Sequence, residues 1–232
     1  VQRKLTARLQ GRQGPPFYQP FFDFVKLLGK ETVVPDGVNR RLLQALPLVS
    51  AVAATCALAL IPVPGSLLAS FPGDLIVLLY LLEMPALCEV LAGYSSRSLY
   101  GQVGSSRAAV LWLGYNLPFL AAIVSLAIQA KSLTLGALAA TPFGPVHLAA
   151  AAAFLCALPA RLKRNPFSIP NAEQEIVAGP FTEYSGAPLA LFELSHEVEF
   201  LALVNLFTLL FLPSAGTLGF RWLLYLLGSG VL

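Results

Sequence analysis

Glu193, His196 and Glu197 stand at positions i, i+3 and i+4, so on a helix two carboxylates and an imidazole share one face. Such a set can pass a proton from group to group. It could also hold a metal ion, but that needs a second helix bearing Glu and His at matching spacing, and the sequence offers none. No metal is therefore expected in this chain. Glu83 and Glu89 lie in another apolar stretch, six residues apart, which is poor spacing for a common face unless Met84 and Pro85 kink the helix between them. A carboxylate in lipid has to pair, reach water or take up a proton. Each of these two therefore reads either as a proton relay or as half of an ion pair to a neighbouring helix. Glu199 falls on a different face from Glu193 and reads as a contact to a partner or a lipid headgroup. Glu173, Glu175 and Glu183 occupy a proline-bounded stretch that spacing alone describes as a solvated acidic loop.

Other chemistry is absent from the pattern. Cys56, Cys88 and Cys156 each stand alone in apolar sequence and read as small core residues, with no Cys/His ligand spacing. His147, at the start of an apolar stretch, reads as an interfacial histidine. No phosphate-binding glycine loop and no Ser/His/Asp set is present.

The elements that must position these residues are membrane helices. Of 232 residues, 56% are hydrophobic and only 12% charged, about half the charge of a soluble domain. Stretches near the length needed to span a bilayer are 42–61, 75–94, 108–130, 146–160 and 188–212. The fourth is short, and a last apolar run, 220–232, is too short to span. The expected fold is all-α: one polytopic membrane domain over 1–232, with a cytoplasmic or interfacial segment at 1–41 and a cytoplasmic loop at 161–187. Within the first segment, FYQPFFDFVKLLGK mixes aromatic residues with Asp23, Lys26 and Lys30, which suits a helix lying in the interface or packed on a partner subunit.

Basic residues set the expected orientation. With the N-terminal region cytoplasmic, alternating helices put thirteen of the fifteen lysines and arginines on that side, leaving only Lys131 and Arg221 outside. The net charge of +3 follows from this topology and does not indicate a nucleic-acid partner. A multi-pass protein of the cytoplasmic membrane, with its acidic loop inside the cell, is the reading that results. A solute transporter would show inverted repeats and a mid-membrane substrate site, and neither is visible.

The stretch RNPFSIPNAEQEIVAGPFTEYSG resembles the signature loop of the subunit-1 family of respiratory complex I and of its homologues in energy-converting NiFe hydrogenases, including formate hydrogenlyase. The matching positions are Pro166, Phe167, Ala172, Glu173, Gln174, Glu175, Gly179, Glu183, Tyr184, Ser185 and Gly186. ARLQGRQGPP followed by FDFVKLLGKE resembles the family's N-terminal motif, matching at Arg8, Arg12, Gly14, Pro15, Asp23, Lys26 and Glu31. Residues 73–78 and 91–93 resemble its third-helix region. Two features resemble the hydrogenase branch more than the quinone branch: the direct passage from GPP to the FDFVKLLGKE helix, and ELSH after ALF. Three positions depart from the pattern. Asn116 stands where many relatives have Glu, Ser168 replaces the Asp of PFD, and Arg161 stands where some formate hydrogenlyase relatives have an acid.

The resemblance implies a membrane anchor that couples hydrogenase electron transfer to proton or sodium movement. Partners would be the hydrogenase large and small subunits, antiporter-like membrane subunits and the bilayer. The NiFe centre and iron–sulfur clusters would lie in partner subunits, with no cofactor here. Glu173, Glu175 and Glu183 would form the entrance of a proton relay and Glu193, Glu197, Glu83, Glu89 and His196 its interior. Arg8, Arg12, Asp23, Lys26, Pro166, Phe167 and Tyr184 would dock partners. The alternative is the quinone-site subunit of a complex I-type oxidoreductase, which predicts a roomy cavity between the Arg12 region and the Glu173 loop. The family also leads to the expectation that the chain lacks both native ends.

Overall fold

The computed structural model describes residues 7–8, 10–14, 16, 18–35, 37–61 and 71–211, leaving out the side chains of Pro20, Glu173 and Gln174. The apolar run 220–232 and most of the first outer loop lie outside these residues. Among the described residues every regular element is helical. In chain order they are α1 Gln19–Leu28, α2 Arg40–Leu60, α3 Asp74–Ser95, α4 Leu99–Ala130, α5 Leu135–Ala139, α6 Pro145–Arg161, α7 Glu173–Ile176 and α8 Gly186–Phe211, with short 3-10 turns at Ile169–Asn171 and Gly179–Phe181.

Four of these, α2, α3, α4 and α8, are long and apolar enough to cross a membrane, and α6 is a shorter apolar helix. Their boundaries follow local chemistry. Asn39 caps α2 by accepting the Arg41 backbone N–H at 3.1 Å. Pro145 opens α6 at a position where its missing N–H costs nothing. Lys131, at a left-handed φ of 51°, ends α4. That helix begins nine residues before the stretch 108–130, at Leu99. Hydropathy missed this extension because Gln102, Ser105, Ser106 and Arg107 interrupt it. Pro85 does not break α3, which runs from Asp74 to Ser95 as one helix.

α2 packs against α8 and α3, and α4 against α6 and α3. The main core joins Leu78 and Leu82 of α3, Phe119 and Leu126 of α4, Phe154 of α6 and Leu203, Leu206 and Leu210 of α8. Large apolar side chains such as Leu99, Val110, Leu117 and Ile128 instead point outward along α4, the side a bilayer would cover. Two expectations change here. Cys88 is buried, but Cys56 and Cys156 are exposed on the outer faces of their helices. His147 is buried rather than interfacial, between the rings of Phe143 (5.0 Å) and Phe211 (5.3 Å).

Candidate functional site

A cavity of about 270 Å³ is walled by α2, α3, α4, the end of α6 and α8. Glu89, Glu193, His196 and Glu197 line it, so four of the eight relay candidates meet in one place. Glu193 is exposed, and His196 and Glu197 are half-buried.

The innermost wall is an ion-pair cluster centred on Arg161. Its side chain is fully buried; Nη1 donates to Glu83 Oε1 at 2.7 Å and Nε donates to Glu199 Oε1 at 2.9 Å. Nη2 donates to the Leu82 carbonyl, and the Trp112 indole N–H donates to the other oxygen of Glu83. The guanidinium lies 4.7 Å from the Phe119 ring centre and 5.6 Å from that of Tyr115. Two residues on, Lys163 pairs with Glu89. The six-residue spacing of Glu83 and Glu89 is thus answered from outside their helix, by two cations at the end of α6. Beside the cluster, Ser50 of α2 and Ser195 of α8 share a buried hydroxyl–hydroxyl hydrogen bond of 2.6 Å.

Three expectations are corrected by this arrangement. Arg161 is the last residue of α6 and not part of the loop, which runs from 162 to 185. Burial places it where the charge pattern had put a solvated cation. Glu199 contacts neither headgroup nor partner but is buried and bound to Arg161. Tyr184 is no docking residue, because it is buried against Leu43, Cys88, Ala92 and Phe192. Burial pushes its phenol above the usual tyrosine range.

The remaining candidates are dispersed. Glu175 is exposed and pairs with Arg107 of α4 at 2.6 Å, and Glu183 is half-buried outside the cavity lining. The Glu173 side chain lies outside the described residues. Pro166 is exposed and Phe167 half-buried. Arg8 and Arg12 are exposed, Arg12 bonding Gln10 at 2.6 Å, and the cavity lies away from Arg12. Asp23 accepts a hydrogen bond from Gln19 at 3.0 Å, and Lys26 is exposed beside it on α1. Among the described residues no group of three His, Cys, Asp or Glu gathers as a metal site.

The acidic loop is seated on the α3–α4 crossing by glycines. A Cβ at Gly104 would stand 2.7 Å from Gly179 Cα, and one at Gly93 would stand 2.6 Å from the Gly101 carbonyl. Gly179 itself has φ +55° and lies against the Pro170 carbonyl, a place no larger residue fits. Further along, Ser185 accepts the Val33 N–H at 3.0 Å, and Gly186 lies against the Lys30 carbonyl, strapping the segment after α1 to the start of α8.

The family described as NADH dehydrogenase matches residues 1–229. The chain is 34% identical to a membrane component of the NADH-quinone oxidoreductase of Syntrophotalea carbinolica, over 91% of its own length and 70% of that protein. The chain belongs to the NADH dehydrogenase subunit 1 family. A second member, the corresponding NADH-quinone oxidoreductase component of Syntrophobacter fumaroxidans, is 35% identical over the same shares. Among solved structures, a chain of the membrane-bound sulfane sulfur reductase, an archaeal respiratory membrane complex, superposes with a TM-score of 0.84 and 28% identity. That likeness covers 99% of this chain and 80% of the other. As a member of the subunit 1 family, the protein is a multi-pass membrane component of a complex I-type respiratory oxidoreductase.

Within this family setting, the residues that sequence reasoning left out of the site are Arg161, Glu199 and Trp112. One signal was available: Arg161 departs from the family pattern at an acid position, and a cation there calls for carboxylate partners.

Proposed function

We propose that this chain is the membrane-anchoring, ion-translocation-coupling subunit of an energy-converting NiFe hydrogenase in the cytoplasmic membrane, with its basic loops on the cytoplasmic side. The observation that carries the coupling role is the buried Glu83–Arg161–Glu199 cluster at the floor of a cavity lined by Glu89, Glu193 and Glu197. Charges are costly inside a membrane protein, and a subunit that only anchored its partners would have no use for them. In this reading the loop 162–185 and the segment around Arg8, Arg12, Asp23 and Lys26 dock the hydrogenase large and small subunits, which carry the NiFe centre and iron–sulfur clusters. A change of charge at the docked surface alters proton affinity at Glu193 and Glu197, and the ion-paired cluster passes that change to antiporter-like subunits that move H⁺ or Na⁺. The hydrogenase branch is supported by the short path from Gly14 to α1, which begins at Gln19, and by the ELSH run of α8.

The quinone reading has its own support in the relatives that belong to NADH-quinone oxidoreductases. Against it, the cavity wall is charged where a quinone ring would need apolar contact.

Purification of the whole complex decides between the two. A NiFe large subunit with hydrogen evolution is expected; quinone-oxidoreductase partners without hydrogenase activity would overturn the proposal. Glu193→Gln then tests coupling: hydrogen evolution or ion uptake by sealed vesicles should fall, and if both are unchanged Glu193 is not in the relay.

A further inference from the structure

The buried cluster has an uneven charge count. Glu83, Glu89 and Glu199 supply three carboxylates, and Arg161 and Lys163 supply two cations. Fully ionised, the five groups carry one excess negative charge in a setting where uncompensated charge is expensive. Arg161 cannot give up its proton. The cluster therefore becomes neutral when one carboxylate takes up one proton.

Its hydrogen bonds single out which carboxylate. Both oxygens of Glu83 are engaged, one by Arg161 and one by Trp112. Glu199 is held by the Nε of Arg161. Glu89 uses one oxygen on Lys163, while its Oε1 is buried and has no hydrogen-bond partner. Glu89 is only 6% exposed, yet it lines the cavity. From these observations we propose that Glu89 is the loading site for a single proton delivered through the cavity, which deepens the coupling role proposed above and rests on it.

The step is a simple transfer. A hydronium ion in the cavity gives its proton to Glu89 Oε1, an O–H bond forms there, and water is released. Lys163 loses its counter-ion and is left with a flexible stem beside the cavity, so loading at Glu89 becomes a displacement of positive charge. The groups around Glu89 fit this role. Arg161, Lys163 and Arg164 face the cavity from α6 and the residues after it, and Tyr115 faces it from α4. α8 contributes Glu199 deep in the wall, with Glu193, His196 and Glu197 nearer water as the delivery route. Glu83, on the same helix as Glu89, is reached only across Arg161, a fixed cation that a proton does not cross.

The test is infrared difference spectroscopy of the purified complex between alkaline and neutral buffer, in H₂O and in D₂O. A carboxylic-acid C=O band that appears on acidification and shifts in D₂O is expected. It should be lost in Glu89→Gln and kept in Glu83→Gln and Glu193→Gln. Lys163→Gln removes one cation and should hold the proton on Glu89 throughout, so that the band no longer changes with pH. This second variant keeps the test open if Glu89→Gln fails to assemble. A band that survives in Glu89→Gln, or no band in the unaltered complex, overturns the inference. The two proposals fail separately: a NiFe complex without the Glu89 band sinks only this one, and a Glu89 band in a complex without hydrogenase sinks only the hydrogenase reading.

Discussion

Arg161 Nε donates to Glu199 Oε1 at 2.9 Å, tying the last residue of α6 to the middle of α8. With the 2.7 Å bond to Glu83 on α3, one guanidinium joins three helices that otherwise meet through apolar contacts. Pairs of this kind add little over a well-packed apolar core, but breaking one strands a charge.

Arg161→Leu leaves two buried carboxylates without a cation. A loss of about 3–5 kcal/mol is expected, enough to abolish assembly. Arg161→Lys keeps the charge but cannot reach Glu83, Glu199 and the Leu82 carbonyl together, so it should lie between the two. Thermal melting of the detergent-purified complex would rank them; equal melting temperatures for Leu and wild type would show that the cluster is not structural.

Gly104→Ala drives a methyl group into the Gly179 backbone. Because neither backbone is free to give, the cost should be about 1–3 kcal/mol, and it should fall on the loop. Limited proteolysis should then cut between 162 and 185 faster than in the native protein. Gly114→Ala, where a Cβ meets nothing, is the control and should leave the cleavage rate unchanged.

Glu175→Gln removes a surface ion pair to Arg107 in which both partners reach water. Stability should change by less than about 1 kcal/mol. If Glu175 belongs to the docking surface, co-purification of the partner subunits should weaken while the melting temperature of this chain stays put. A fall in melting temperature without loss of partners would assign the pair a structural role.

Tyr184 gives a pH signature. Its buried phenol holds its proton more tightly in the folded than in the unfolded chain. The native state therefore binds more protons than the unfolded state above about pH 10, so this contribution is complete below that pH and is lost as pH rises further. Tyr184→Phe should melt with a shallower alkaline decline than wild type. Parallel declines would mean that the phenol does not titrate differently in the folded state.

The signature loop shows how far local pattern reaches. Its sequence identified the family, and its glycines and prolines marked it as irregular. Its seat on α3 and α4 was not legible, because Gly93, Gly104 and Gly179 come together only when distant turns close. Tyr184 illustrates the same limit: its place in the motif suggested docking, while its burial beside Leu43 depends on where α2 lies.

The membrane-spanning character, the bias of basic residues to one side and the shared helix face of Glu193, His196 and Glu197 are properties of composition and of helical period, and the sequence alone determined them. The partners of Glu83, Glu89 and Glu199 were decided by tertiary structure. Helical spacing states which side chains share a face of one helix; it does not state which face of another helix lies opposite. The cations answering these acids stand 38 to 78 positions away, at the end of α6. Only packing of α3, α6 and α8 around one apolar core brings Arg161 and Lys163 to them, and burial there turns a basic run expected in solvent into the centre of the site.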